Sequence, residues 1–247
     1  MSLPKNTPGY AIRAEANIEK IEVVIFSLTL NYIQKLLEMQ DDRLPKICFK
    51  RLLHLSKNET EKNGTKYNWI NQVKIKFLKK INKDDFLDNI SLDLLVKEKN
   101  NLLEELKKYT KRIDKKNIFE CNCIPALSIL HQNEITVNYI DLKLPLHQKK
   151  ILAQVRLLNN YNTRFLTKDK IHKLNFNEYC HLCSERDTIF HSIINCEKFN
   201  NYRGQLVPDI FNSTMDNGFF QLLNELNEPK ARKIVNFVHI ILNVKNN

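Results

Sequence analysis

Four residues towards the C-terminal end have the types and spacing to hold a metal ion. Cys180, Cys183, His191 and Cys196 form a C-x2-C-x7-H-x4-C pattern. Thiolate and imidazole are the soft and borderline donors that suit tetrahedral zinc. A two-residue gap lets one tight turn offer both sulfurs to one ion, and the seven-residue gap lets the chain turn back with the second pair. Four protein ligands leave no open coordination position, so the expected role is structural. On an ideal α-helix His191 and Cys196 would stand about 140° apart. The helix is therefore expected to end or tighten before Cys196, at about Asn195. The competing reading is three buried thiols and an unrelated histidine. His181 is the alternative imidazole and is expected to face solvent. Cys121 and Cys123 form only a C-x-C pair and read as plain thiols. Cys48, on an apolar helical face, reads as core.

Other chemistries find less support. The 247 residues include only 4 glycines, with no G-x-G-x-x-G and no G-x-x-x-x-G-K phosphate loop. So few glycines also disfavour a turn-dense β-sandwich or barrel. The N-terminus lacks the apolar core of a secretory signal, and no stretch reaches the roughly 20 apolar residues of a membrane span. Six cysteines without such a signal point to a reducing, intracellular setting, nuclear or cytoplasmic, rather than a disulfide framework.

The formal net charge of +11 is unevenly spread. Between positions 62 and 83 stand seven lysines (Lys62, Lys66, Lys74, Lys76, Lys79, Lys80 and Lys83) and no carboxylate. Between 143 and 173 stand Lys143, Lys149, Lys150, Arg156, Arg164, Lys168, Lys170 and Lys173 against Asp169 alone. Such local excess attracts polyanions and makes binding salt-dependent. Solvated helix faces are the alternative.

The elements that must position these groups read as helices. Ile18, Ile21, Ile25, Leu28, Tyr32 and Leu36 mark one stripe of a long helix over about 15–39. Asp42 stands as a cap before a helix with Leu44, Cys48, Leu52 and Leu55 on its apolar face. Ile70, Val73, Phe77 and Ile81 share a face over 67–81, where Trp69 is expected to pack rather than stack on a base. Ser91 caps a helix over 92–113 with Leu95, Leu102, Leu106, Tyr109 and Ile113 in register, and Glu104 facing Lys108. Residues 117–142 read as irregular, with a short strand through Ile135, Val137 and Tyr139. Pro145 opens a helix that turns Ile151, Val155 and Leu158 inward. Thr167 caps a shorter one to Leu174, and two more follow over about 217–226 and 229–244, the last with Ile234, Val238 and Ile241 inward. The expected fold is mainly α: an irregular helical bundle with a small zinc-stapled module.

Two segments resemble the reverse transcriptases of non-LTR (LINE-type) retrotransposons. LPKNTPGYAIRAE over 3–15 resembles the chain just beyond the polymerase core, where a proline-bearing segment leads into a thumb helix. ILAQVRLLNNYNTR over 151–164, followed by the cysteine–histidine cluster and Arg203, resembles the C-terminal zinc region of the same polyproteins. The middle, about 56–140, resembles them poorly. The resemblance implies RNA-directed DNA polymerase ancestry, Cys180, Cys183, His191 and Cys196 as zinc ligands, and Arg156, Arg164 and Arg203 as basic positions around them. The polymerase's fingers and palm would precede Pro4. Asp41-Asp42 and Asp84-Asp85 lack the aromatic of an F/Y-x-D-D turn, so two-metal phosphoryl transfer has no credible carboxylate set. The retroviral knuckle also differs, with a four-residue middle gap that usually holds glycine.

These readings divide the chain into a thumb-like region over 1–55, a helical connector over 56–142, basic helices with the zinc module over 143–207, and terminal helices over 208–247. The expected function is non-catalytic binding of an RNA or DNA backbone, with no membrane role. The rival is a helical protein-interaction module that self-associates through the 92–113 stripe.

Overall fold

The computed structural model describes residues 3, 7–58, 68–131, 139–158, 164–167, 170–173, 179–188, 191–206 and 222–246. Among these residues it is mainly helical, with one two-stranded sheet. The chain forms two compact units, one of 18–115 and one of 1–17 with 116–247. This division is drawn differently from the four-segment reading. The first 17 residues belong with the C-terminal half, because Glu15 pairs with Arg156 and Ala11 packs with Ile118 and Leu157.

Helix α1 (Gly9–Ala16) ends at Asn17, whose left-handed backbone (φ 49°) turns its N–H back onto the Arg13 and Ala14 carbonyls. The single helix expected over 15–39 is thus broken, and α2 (Ile21–Glu38) starts afresh. It buries Val23, Phe26, Leu30, Ile33 and Leu36. Of the expected stripe, Ile18, Ile21, Ile25, Leu28 and Tyr32 are instead 46–65% exposed. Residues 18–36 carry two apolar stripes, and the face with Phe26, stacked on Phe77 at 5.0 Å, is the one that packs.

The rest of this unit is α3 (Leu44–Asn58), α4 (Trp69–Lys76), a 3-10 turn (Leu78–Ile81) and α5 (Leu92–Phe119), which runs on into the other unit. Since α3 starts at Leu44, Arg43 and not Asp42 precedes it. It buries Phe49, while Leu44 and Cys48 are exposed, so Cys48 is not core. The α2 C-terminus is closed by Lys46, whose ammonium donates to the Leu37 and Met39 carbonyls. Asp41 holds Lys46 and Lys50 at 2.9 Å. Trp69 packs as expected, stacked on Phe49 at 6.0 Å. Asn68 caps α4 through the Ile70 N–H and ties it to α3 through the Leu52 carbonyl. Ser91 caps α5 through the Leu94 N–H at 3.2 Å.

Leu95, Leu102 and Leu106 of α5 lie in this core. Glu104 pairs with Lys107, not Lys108.

In the other unit, α5 and α6 (Pro125–Leu130) make part of the stretch expected to be irregular helical. Of the expected strand there, only Tyr139 is among the described residues. Helix α7 (Leu146–Arg156) follows Pro145 and turns Ile151 and Val155 inward, with Leu158 buried just beyond it. The helix expected after Thr167 is a hairpin, β1 (Arg164–Leu166) with β2 (Ile171–Lys173), antiparallel, Phe165 opposite His172. Its four-residue connection is closed by the Thr167 N–H on the Lys170 carbonyl at 3.0 Å. The Gln154 side chain docks it, donating to the Leu166 carbonyl and accepting from the Leu166 N–H.

Helix α8 (Asn200–Leu206) and α9 (Glu228–Asn246) complete the unit, and 222–224 are helical. Ile234, Val238 and Ile241 of α9 join Ile151, Val155, Ile193 and Phe199 in one core. Each such side chain contributes about 1.5–3 kcal/mol by leaving water. Among the described residues no helix is long and apolar enough to cross a membrane.

Candidate metal centre

The first ligand pair is set by a small hairpin. Tyr179 and Arg186 form an antiparallel bridge, and the Cys180 N–H donates to the Glu185 carbonyl at 2.6 Å. Inside it, the Cys183 and Ser184 N–H groups fold back onto the Cys180 carbonyl. Ser184 takes a left-handed backbone, φ 64°, to close the turn.

The second pair is brought together by a wide turn. Residues His191–Asn195 form a π-helical turn, and the Cys196 N–H donates to the His191 carbonyl at 2.7 Å. An i to i+5 bond winds more residues into each turn than the roughly 3.6 of an α-helix, so five residues come closer to a full turn. His191 and Cys196 therefore return to the same side, which a regular α-turn forbids. The turn ends at Asn195, as expected; before that end it widens rather than tightens, and a 3-10 turn over Glu197–Phe199 follows. Thr188 caps the segment through the His191 N–H at 2.9 Å.

The ligand atoms of Cys180, Cys183, His191 and Cys196 lie within 4.8 Å of one another, and all but Cys183 are buried. Cys183 Sγ stands 3.1 Å from His191 Nε2 and 3.7 Å from Cys196 Sγ. His181 is exposed, as expected. Four such donors could hold one metal ion.

The surroundings fit a charged centre. At Cys180, burial opposes the thiolate, but the Leu182 N–H and the Lys245 ammonium outweigh it and hold the thiol below its ordinary range. Burial, with the neighbouring thiols, pushes Cys196 up to about 11. A cation at the centre would reverse that penalty, since metal binding favours the deprotonated ligand. Burial lowers His191, keeping its imidazole neutral as ligation requires.

Lys245 of α9 lies 3.4 Å from Cys180 Sγ and 2.5 Å from Asp187, with both charged side chains almost fully buried. Arg203 of α8 donates to the Ile193 carbonyl at 3.2 Å, to the Cys196 carbonyl and to Asn200 Oδ1. Three thiolates around a divalent ion leave one net negative charge. Lys245, Asp187 and Arg203 together supply one net positive charge.

The expected phosphate contacts separate into two groups. Arg156 is 1% exposed, with Nε 2.5 Å from Glu15 and a further bond to the Leu223 carbonyl. Arg203 is buried against the metal module. Neither guanidinium is available to a phosphate, so both are structural. Lys149 is half-buried and donates to the Ile140 carbonyl. Lys143, Arg164 and Lys170 are exposed and Lys150 is half-exposed. Lys168 lies outside the described residues, and Lys173 is placed by its backbone in β2, opposite Arg164.

Cys121 and Cys123 stand apart from the four-ligand group, with their sulfurs 3.3 Å apart. Lys245 and Asp187 were not legible from spacing: 58 residues separate them, and nothing around Lys245 in the sequence marks a partner for a thiol. No protein-family model, curated protein or solved structure matches the chain.

Proposed function

We propose that the chain is a non-catalytic, nucleic-acid-binding part of a retroelement RNA-directed DNA polymerase, in which one structural zinc ion staples the 180–196 region. The donor set supports zinc over harder ions. Zinc–sulfur bonds of about 2.3 Å set tetrahedral sulfurs about 3.8 Å apart, against 3.7 Å between Cys183 and Cys196. With four protein ligands the ion has no position for substrate.

The observation that carries the binding role is the excess of exposed cations in the segment that precedes this centre in the chain. Lys143, Arg164 and Lys170 are exposed in a segment whose one carboxylate residue is Asp169. Such a surface grips the phosphate backbone of RNA or DNA without reading bases. Fluorescence anisotropy with RNA and with single- and double-stranded DNA, at two salt concentrations, tests it. Affinity that falls steeply with salt is expected; absent or salt-indifferent affinity would refute it.

The exposed apolar row of Ile18 and, on α2, Ile21, Ile25, Leu28 and Tyr32 favours a second reading as a zinc-stapled protein-interaction module. That reading expects association with rising concentration in light scattering, lost in Ile25→Glu/Leu28→Glu, with no nucleic-acid affinity.

A further inference from the structure

A cleft of about 420 Å³ opens in the 18–115 unit, between the 3-10 turn Leu78–Ile81 and the middle of α5. Four cations line it, Lys80, Lys83, Lys108 and Arg112, against the single carboxylate of Glu105. Asn82 makes the arrangement possible. Its left-handed backbone (φ 55°) ends the 3-10 turn, and the Lys83 N–H folds back onto the Leu78 carbonyl at 3.0 Å. The chain reverses there, and Lys83 and Lys80 line the same cleft. Lys80 is held at 2.9 Å by Glu22 and forms a fixed wall. Lys83, Lys108 and Arg112 have no carboxylate partner among the described residues. Three like charges gathered around the one carboxylate of Glu105 leave a net positive charge in the cleft, and an anion there relieves their mutual repulsion.

The cleft also holds an aromatic surface. Tyr109 is half-buried, and the Arg112 guanidinium carbon lies 5.6 Å from its ring centre. Cations around an aromatic ring are how single strands are held: phosphates on the charges, a base on the ring. Lys108 and Arg112, four residues apart, sit about 6 Å apart along the axis of α5. That offset suits successive phosphates of a strand rather than one phosphate group. A duplex, with its bases paired inside, has no free base to lay on the ring.

We propose that this cleft binds a nucleotide unit of single-stranded nucleic acid, with Lys83, Lys108 and Arg112 on phosphates and Tyr109 under a base. The inference rests on the nucleic-acid-binding reading and adds a place and a strand type to it. It lies in the first of the two lysine-rich blocks and in α5, on residues other than those expected to meet phosphates.

The test uses the full chain with zinc and a labelled twelve-residue oligo-uridylate, by anisotropy from 50 to 300 mM salt. Lys83→Ala/Lys108→Ala/Arg112→Ala should weaken binding at least about tenfold at the lowest salt. It should also flatten the log–log salt slope by about 2, three lost contacts at roughly 0.7 each. Tyr109→Leu should lose about five- to tenfold in affinity with its slope unchanged. Should the triple variant not fold, Lys108→Ala/Arg112→Ala changes two exposed side chains and should flatten the slope by about 1.4. Unlabelled adenosine monophosphate should compete at least about a hundredfold more weakly than unlabelled oligo-uridylate; equal competition would overturn the strand assignment. Salt-dependent binding left intact in affinity and slope by the substitutions would overturn the cleft and leave the general reading standing. No binding by the unaltered chain would overturn both.

Discussion

Arg156→Ala distinguishes a structural arginine from a phosphate-gripping one. Arg156 joins the Glu15 carboxylate at 2.5 Å, donates to the Leu223 carbonyl and lies over the Tyr139 ring at 5.6 Å. Glu15 is equally buried, its side chain 1% exposed. Truncating one partner of a buried ion pair leaves the other charge stranded, at a cost of about 3–5 kcal/mol. The orphaned Leu223 carbonyl adds about 1 kcal/mol. Against a total stability of roughly 5–15 kcal/mol, that is a large fraction, and Tm should fall by about 10 °C or more. Glu15→Gln in the Arg156→Ala background removes the stranded charge and should restore about 2 kcal/mol or more. Urea unfolding at fixed zinc concentration is the assay, followed by far-ultraviolet circular dichroism. The one tryptophan, Trp69, packs in the 18–115 unit, so fluorescence reports on that unit and circular dichroism on the helices of both. An Arg156→Ala protein within about 1 kcal/mol of the unaltered chain, but weaker on RNA or DNA, would refute the reasoning.

Three further outcomes are expected. Arg203→Ala should lower metal affinity about tenfold or more in competition with a chromophoric chelator, because the Ile193 and Cys196 carbonyls of the ligand turn lose their shared donor. Gln154→Leu should destabilise the chain by about 1–3 kcal/mol in urea, since the Leu166 N–H and carbonyl lose their partner together. Burial, aided by Arg156, lowers His131 to about 4. The unfolded chain therefore takes up this proton first, near 6.5, and the folded chain only near 4. The neutral side chain's contribution should be full above about pH 6.5, fall by up to about 3 kcal/mol as pH drops to 4, and then level off. His131→Phe should remove that component of the pH profile.

Much of the fold was legible because helix periodicity and caps are local signals. Ser91 capping α5 and Ile151 and Val155 turning inward on α7 followed from spacing alone. Where two faces of one helix are both apolar, periodicity is silent, and in α2 the packing of Phe26 on Phe77 decides. The hairpin after residue 163 was missed because three-residue strands are too short to show alternation, and a glutamine on α7 holds one of them.

At the site, the four candidate ligands were legible as a spacing pattern, and so was the end of the turn at Asn195; the π-helical widening that brings His191 and Cys196 together was not. The charges that balance the centre were not legible. Arg156 and Arg203 look like any surface arginine in sequence, and their partners lie either 141 residues away or on backbone carbonyls. Burial, not residue type, separates them from Lys143, Arg164 and Lys170.

Metal content tests the central claim most directly. Chain purified without chelator should carry about one zinc per molecule by elemental analysis, and Cys183→Ser should lower that occupancy and loosen the 179–203 region to protease. Protein purified in this way with no stoichiometric zinc, or with zinc undiminished in the Cys183→Ser variant, would contradict the account.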